Sequence, residues 1–331
     1  MNKHDLNGIT LLCGAVIGAG FVGGKEIALF FPSSSVTEYL IFAVVFAICC
    51  TVVTARCRQT GAYTMTDILN ADTPSFTRWL FAACYLVSLT TMLAAANDCF
   101  ETFAGALDLP VGAVVTCFVC VAIMRFGEKG IQKFSNLAVP FIVVFLLVAV
   151  TVLPPQTDRV TVTRPDKPLV YALFNFVMCL AVLGSCTRNT KGYTVGIAVT
   201  FLVTLLIAFI SSRLSALSRT QPLPLLWMIS DNGLLSIWGT VSLYLAIITS
   251  ALANLYPLCQ ELTALTHDGN FSTMAILCVA AILSVGGYDA IVRYCYPFIA
   301  LLGLFVLICC GIKLTVKKTV RNKNADCKKQ F

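Results

Sequence analysis

Five glycines, Gly14, Gly18, Gly20, Gly23 and Gly24, fall within eleven residues of one apolar stretch, Gly14-Ala15-Val16-Ile17-Gly18-Ala19-Gly20-Phe21-Val22-Gly23-Gly24-Lys25-Glu26. Glycine does not hold a backbone to one conformation, so a uniform helix is not expected there. An unwound turn inside a membrane frees amides and carbonyls that need protein, water or a ligand as partner. The amides opening the outer half-helix would then present a positive dipole end to a negative group such as a carboxylate, and the carbonyls closing the inner half would hold a cation. Close packing of helices through small residues is the competing reading of the same spacing.

These groups need a membrane around them, and the composition supplies one. Of 331 residues, 58% are hydrophobic and only 12% charged, against roughly a quarter charged in ordinary soluble domains. A spanning helix takes about 20 mostly apolar residues, so the chain has room for about ten spans and no large soluble domain. Apolar runs between polar breaks predict spans near 6–31, 37–56, 79–103, 110–124, 137–153, 169–187, 194–212, 237–258, 271–284 and 291–312. The first run lacks the small-residue cleavage site of a secretory signal and reads as a retained span. Most of the sixteen cysteines, Cys49, Cys50, Cys179, Cys309 and Cys310 among them, sit inside apolar runs without metal-ligand spacing, as small packing residues do.

Charge orients the chain. With the N-terminus inside, sixteen Lys and Arg fall on inner segments and six (Arg159, Arg164, Lys167, Arg213, Arg219 and Arg293) on outer ones. Both termini are therefore expected in the cytoplasm. Seven of the inner residues crowd the C-terminal end from Lys313 to Lys329, a cluster suited to a cytoplasmic face against anionic lipid rather than to nucleic acid. Ten spans with both ends on one side divide into two halves of five, 6–153 and 169–312, and an odd number per half inverts the second. The expected organisation is one transmembrane domain over 1–315 and a basic tail over 316–331. The outer stretch from Arg213 to Ser236 carries Gln221-Pro222-Leu223-Pro224-Leu225-Leu226-Trp227. It reads either as a lid over an outer vestibule or as an interfacial segment anchored by Trp227.

The run from Gly14 to Glu26, with Ile27 and Phe30-Phe31 after it, resembles the first-span signature of the YkvI-type membrane transporters, distant members of the amino acid, polyamine and organocation superfamily. The resemblance in span order covers about residues 6–312. It implies an all-α integral membrane fold of the leucine-transporter (LeuT) type, with ten transmembrane helices in a 5+5 inverted repeat and a broken first helix. Gly14, Val16 and Ile17 then fall where this fold offers carbonyls to a sodium ion, and Gly18, Ala19 and Gly20 fall at the substrate-binding turn. Thr249 and Ser250 resemble the adjacent hydroxyl pair that completes that site, giving a hard, all-oxygen shell; bonding to their own helix is the alternative. Phe21 stands among the substrate-binding residues where some sodium-coupled relatives carry an asparagine for a further ion, so a second sodium site is not expected.

On the same layout Tyr85 lies at mid-membrane in the third span, and Asn175 and Phe176 lie near an expected break in the sixth. All three are candidate substrate contacts, although a buried Asn can equally bond another helix. Lys25 lies just past the glycine run, and Asp289 opens the tenth span. The resemblance implies that Lys25 and Asp289 pair as an outer gate, with Glu26 and Arg293 as a neighbouring pair; the alternative is that all four face water.

Little supports catalysis. The histidines are His4 and His267, both near predicted cytoplasmic ends, and no phosphate-binding loop or nucleophile elbow appears. No cofactor is expected beyond sodium as a coupling ion. The expectation is a secondary transporter of a small carboxylate-bearing solute such as an amino acid, coupled to sodium or protons by alternating access. A non-transporting sensor or receptor subunit on the same scaffold is the alternative.

Overall fold

The computed structural model describes residues 3–104, 110–155, 164–190, 192–221, 223–284 and 288–327, with the side chains of 3, 102–104, 189, 288–294 and 317–327 outside the described set. Among the described residues every regular element is helical. The first span is assembled from three pieces, α1 (Lys3–Val16), α2 (Ala19–Val22) and α3 (Lys25–Phe30). Then follow α4 (Val36–Thr60), a short α5 (Met65–Asp72), α6 (Phe76–Ala104), α7 (Val111–Met124), α8 (Gly127–Val152), α9 (Asp166–Asn189) and α10 (Gly192–Ser211). A 3-10 turn over Ser218–Thr220 and α11 (Pro224–Met228) lead to α12 (Gly233–Thr266), α13 (Gly269–Leu283) and α14 (Tyr288–Cys327).

Seven helices (α4, α6, α8, α9, α10, α12 and α14) are long and apolar enough to cross a membrane, and α7 and α13 are shorter apolar helices. The chain is a multi-pass membrane protein. Large apolar side chains such as Phe118, Phe201, Phe298, Leu301 and Ile308 stand exposed on its outer faces, where lipid rather than water is the compatible solvent. Short polar signals set the helix starts. The Ser35 hydroxyl accepts from the Thr37 amide at 3.2 Å, and Asp268 Oδ1 accepts from the Asn270 and Phe271 amides at 2.9 and 3.1 Å.

At the centre lies α9, 83% buried over its most apolar window. Around it pack α4, α14 and α1, and α1 also meets α8, α10 and α12. The expected interruption of the sixth span is absent: α9 runs unbroken from Asp166 to Asn189. Its sequence explains this, since the proline, Pro168, stands in the first turn where no hydrogen bond is lost. Gly184 is there for packing instead; a Cβ on it would lie 2.5 Å from the carbonyl oxygen of Tyr63. Another element without a predicted counterpart is α5, a two-turn helix capped by Thr64, whose hydroxyl accepts from Asp67 N at 3.1 Å. The described cysteines are free, and eleven of them are buried in the apolar core, the packing role expected of them.

Candidate functional site

The glycine run does break the first span, and it breaks it twice. At Ile17–Gly18 the helix stops: Gly18 is extended (φ −88°, ψ −174°), and its amide turns back to the Val16 carbonyl at 3.0 Å. The chain re-enters a helix at Ala19, with Phe21 N and Val22 N both bonded to Gly18 O at 3.1 Å. Ala19, Gly20 and Phe21 are buried, and the amides of Ala19 and Gly20 have no partner among the described residues. The second break is at Gly23–Gly24, where Gly24 takes φ +83°, a left-handed conformation that glycine adopts without strain.

Opposite the first break stands α12. Ser250 Oγ donates to Gly14 O at 3.4 Å, and a Cβ on Gly18 would lie 3.1 Å from the same oxygen. Thr249 is buried beside it, and its hydroxyl donates to Ala246 O of its own helix at 3.0 Å. The structure thus brings Gly14 and Ser250 together, puts Thr249 next to them, and turns Val16 O toward Gly18 N. A donating hydroxyl keeps both lone pairs, so Thr249, Ser250 and the Gly14 carbonyl form an oxygen set whose chemistry suits a hard cation. No group of three or more His, Cys, Asp or Glu occurs among the described residues, so a softer metal has no comparable set.

The remaining predicted contacts are committed to the scaffold. Tyr85 is fully buried, and its hydroxyl donates to Val177 O of α9 at 2.8 Å, tying α6 to the central helix. Asn175 Nδ2 donates to Tyr171 O one turn earlier at 2.9 Å, and Phe176 is buried in an intact helix. With α9 unbroken, these residues have no unwound turn to line.

At the α3 end of the fold, residues 213–221 and 223–232 form a cover rather than a free loop. The Leu225 amide donates to Gly23 O at 2.9 Å, and a Cβ on Gly23 would lie 2.6 Å from Leu223 Cδ2. The Gly23–Gly24 break therefore exists to let α11 dock on the first span. Arg219 reinforces it, donating to the carbonyls of Phe31 at 3.1 Å and Ala28 at 3.4 Å, to Ser34 Oγ at 2.8 Å and to Ser211 O at 3.2 Å. Arginine here occupies the C-terminal carbonyls of α3, the negative end of that helix.

The gate residues divide. Lys25 is half-buried at the start of α3, and the side chains of Asp289 and Arg293 lie outside the described residues. Glu26 turns inward, 4% exposed, and both carboxyl oxygens accept from tyrosines, Oε2 from Tyr171 at 2.9 Å and Oε1 from Tyr296 at 2.9 Å. Sequence spacing gave no sign of these tyrosines, which lie 145 and 270 residues away.

Set against known proteins, the arrangement has a clear counterpart. The chain superposes on the crystal structure of MhsT in complex with L-phenylalanine with a TM-score of 0.68, covering 92% of this chain and 88% of that one at 12% identity. The chain has the fold of MhsT. That is the leucine-transporter-like fold which the first-span resemblance implied. In sequence the chain is similar to the uncharacterized protein YyaD of Bacillus subtilis (strain 168), 23% identical over 326 residues, 93% of this chain and 96% of that one. No protein-family model matches the chain.

The opposite end of this fold is held by polar contacts that sequence reading did not find. Asn136 on α8 bonds Asn7 Oδ1 at 3.0 Å and also meets the Thr10 hydroxyl, fastening α1. Arg56 on α4 pairs with Asp72 on α5 through two hydrogen bonds, one of 3.0 Å, and Lys313 on α14 approaches Asp72 at 3.9 Å. Glu261 on α12 pairs with Arg78 on α6 at 3.0 Å and bonds Thr66 on α5. The helix α5 thus ties α4, α12 and α14 together on one side, and α6 joins through Glu261.

Proposed function

We propose that the chain is a secondary transporter of a small carboxylate-bearing solute, an amino acid in the first instance, working by alternating access and driven by a cation gradient. The observation that carries this reading is the break at Ile17–Gly18, buried at the centre of the fold and faced by the Thr249–Ser250 hydroxyls. Broken backbone at membrane depth is stable only where it meets protein, water or a ligand, and the two half-helix ends offer amides to an anion and carbonyls to a cation. The Ala19 and Gly20 amides have no partner among the described residues, which suits a carboxylate. Gly14 O, Thr249 and Ser250 would hold the coupling cation, with Val16 and Ile17 at the same turn. A bound cation there supplies positive charge beside the solute carboxylate. The L-phenylalanine bound to MhsT, a protein of the same fold, supports an amino acid as the solute class.

Alternating access requires that one end of the path open while the other is shut. Both ends of the first span have releasable contacts: Asn7 and Thr10 against Asn136 at one, Gly23 O against Leu225 N and Arg219 against α3 at the other. On this reading the chain crosses a bacterial inner membrane ten times in two inverted halves, with both termini in the cytoplasm. The fold is that of a transporter and not of an enzyme. The experiment is a thermal-shift screen of the purified protein against amino acids, with and without sodium. A ligand at one hundred times its Kd stabilises by about 2.7 kcal/mol, and the expected result is a sodium-dependent shift with one class of amino acid. A folded protein stabilised by none of them overturns the proposal.

A further inference from the structure

The reading above leaves two buried acids, Glu26 and Glu38, without a task, and Glu26 is the one held by hydrogen bonds. Glu26 sits on the first turn of α3, 4% exposed, at the meeting point of three elements. The hydroxyls of Tyr171 on α9 and Tyr296 on α14 each lie 2.9 Å from one of its carboxyl oxygens. Aromatic rings fill the surroundings: Phe30 stacks on Tyr171 with centroids 5.1 Å apart and on Tyr296 at 6.1 Å, and Phe174 stacks on Tyr296 at 3.6 Å. The position is built for something as small as a proton, since both oxygens are within hydrogen-bond contact and the rings around them touch.

Other charged groups on the surrounding elements are Lys25 on α3, Lys167 one turn before Tyr171 on α9, Glu38 on α4, and Arg219, which is bonded to the carbonyls at the far end of α3. None of these is in ion-pair or hydrogen-bond contact with Glu26 among the described contacts. On α14, Asp289 and Arg293 have side chains outside the described residues. A carboxylate removed from water without a cation beside it is neutralised rather than left charged. Tyrosine, with an ordinary pKa of about 10, keeps its proton throughout the physiological range. Glu26 is therefore the group of this trio that changes charge.

We propose that Glu26 is a proton-binding site that links the outer closure of the first span to external pH, separate from the oxygen set at Gly14, Thr249 and Ser250. When α3 stands away from α9 and α14, the Glu26 carboxylate is hydrated. On closure it takes one proton from a hydronium ion, which leaves as water. In the structure both tyrosine hydroxyls donate to the carboxyl oxygens; with the added proton one hydroxyl turns to accept the new carboxyl O–H, and the other keeps its bond to the remaining oxygen. Opening reverses each step. Closure binds a proton, so closure weakens as pH rises. Between the pKa of the open, hydrated carboxyl, about 4.3, and the higher one of the closed form, its equilibrium constant falls about tenfold per pH unit for one proton, and above the latter it no longer changes.

The inference rests on the transport reading only for what the closure serves, and its test needs no solute. Hydrogen exchange is measured on the full chain in nanodiscs from about pH 4 to 8, a range that brackets the glutamate window, corrected for the intrinsic pH dependence of exchange. The amides followed are those of Ala28 and Phe31, which bond to Gly24 O at 2.9 Å and Ile27 O at 3.0 Å. Expected is a loss of protection of about tenfold per pH unit in the wild type, abolished in Glu26→Gln. Tyr296→Phe, which keeps the ring and removes one hydrogen bond, should move the midpoint and keep the slope. The proposal is overturned if Glu26→Gln retains the wild-type slope, if the wild type shows none, or if Arg293→Gln abolishes the slope as Glu26→Gln does, which would make the switch a charge pair. Solute uptake measured alongside separates the two readings: a pH slope without uptake supports the proton site and removes the transporter, and uptake without a slope does the reverse.

Discussion

Gly18→Ala isolates the contact on which the cation reading depends. The backbone at Gly18 is extended (φ −88°, ψ −174°), a conformation alanine adopts freely, so the substitution adds a methyl group and no strain. That methyl carbon would lie 3.1 Å from Ser250 Oγ but 3.9 Å from Ser250 Cβ. The hydroxyl alone is crowded, and it must rotate away from Gly14 O, from which it now stands 3.4 Å. Losing one oxygen ligand is expected to raise the sodium concentration for half-maximal stabilisation or uptake about tenfold, ~1.4 kcal/mol. Ser250→Ala removes the same ligand and should cost about as much. In the Ser250→Ala background the methyl group of Gly18→Ala has nothing to displace, so the double variant should match either single variant rather than multiply them. The assay is a sodium titration of the thermal midpoint in all four proteins. A Gly18→Ala effect of equal size in both backgrounds, or no effect in either, refutes the assignment of Ser250 to the site.

Arg219→Ala should lower stability by roughly 2–3 kcal/mol, the order of a lost charged hydrogen-bond cluster, and should increase proteolysis within 213–232, because Arg219 holds that segment to α3. Arg56→Ala leaves Asp72, 1% exposed, without its partner and should cost about 3–5 kcal/mol in denaturant titration, much of it recovered by Arg56→Met with Asp72→Leu. At the outer end, Lys25→Asp with Asp289→Lys should recover transport relative to either single reversal, and additive losses would count against direct pairing.

What was legible in the sequence is what local composition controls. Apolar runs of spanning length report burial or lipid contact directly, and five glycines in one such run report a backbone that cannot hold a uniform helix. The Thr249–Ser250 pair was singled out through the resemblance to the leucine-transporter fold, and the structure buries both beside Gly14. The second break was hidden because Gly23 and Gly24 look like part of the first; their purpose lies in Leu223 and Leu225, two hundred residues further on. The interruption expected near Asn175 came from the span order of the resembling fold, whereas α9 itself holds no breaker in that region and closes its own hydrogen bonds. Glu26 read as a surface gate because it follows Lys25 at the end of a span. Its inward turn depends on two tyrosines from distant helices, and pairing at that separation leaves no periodic trace. The clamp of Arg56, Asp72, Arg78 and Glu261 escaped for the same reason, since α5 acquires its role only when α4, α6, α12 and α14 come together around it.

The central claim, that the broken first span carries a solute across the membrane at the expense of an ion gradient, is tested most directly by uptake of labelled amino acids into proteoliposomes holding the purified full chain. The expected result is accumulation above the external concentration under an inward sodium or proton gradient, lost when the gradient is dissipated and absent in Gly18→Leu protein of normal folded yield. Folded, correctly inserted protein that accumulates no amino acid under either gradient, or Gly18→Leu protein that transports with wild-type kinetics, would contradict the account.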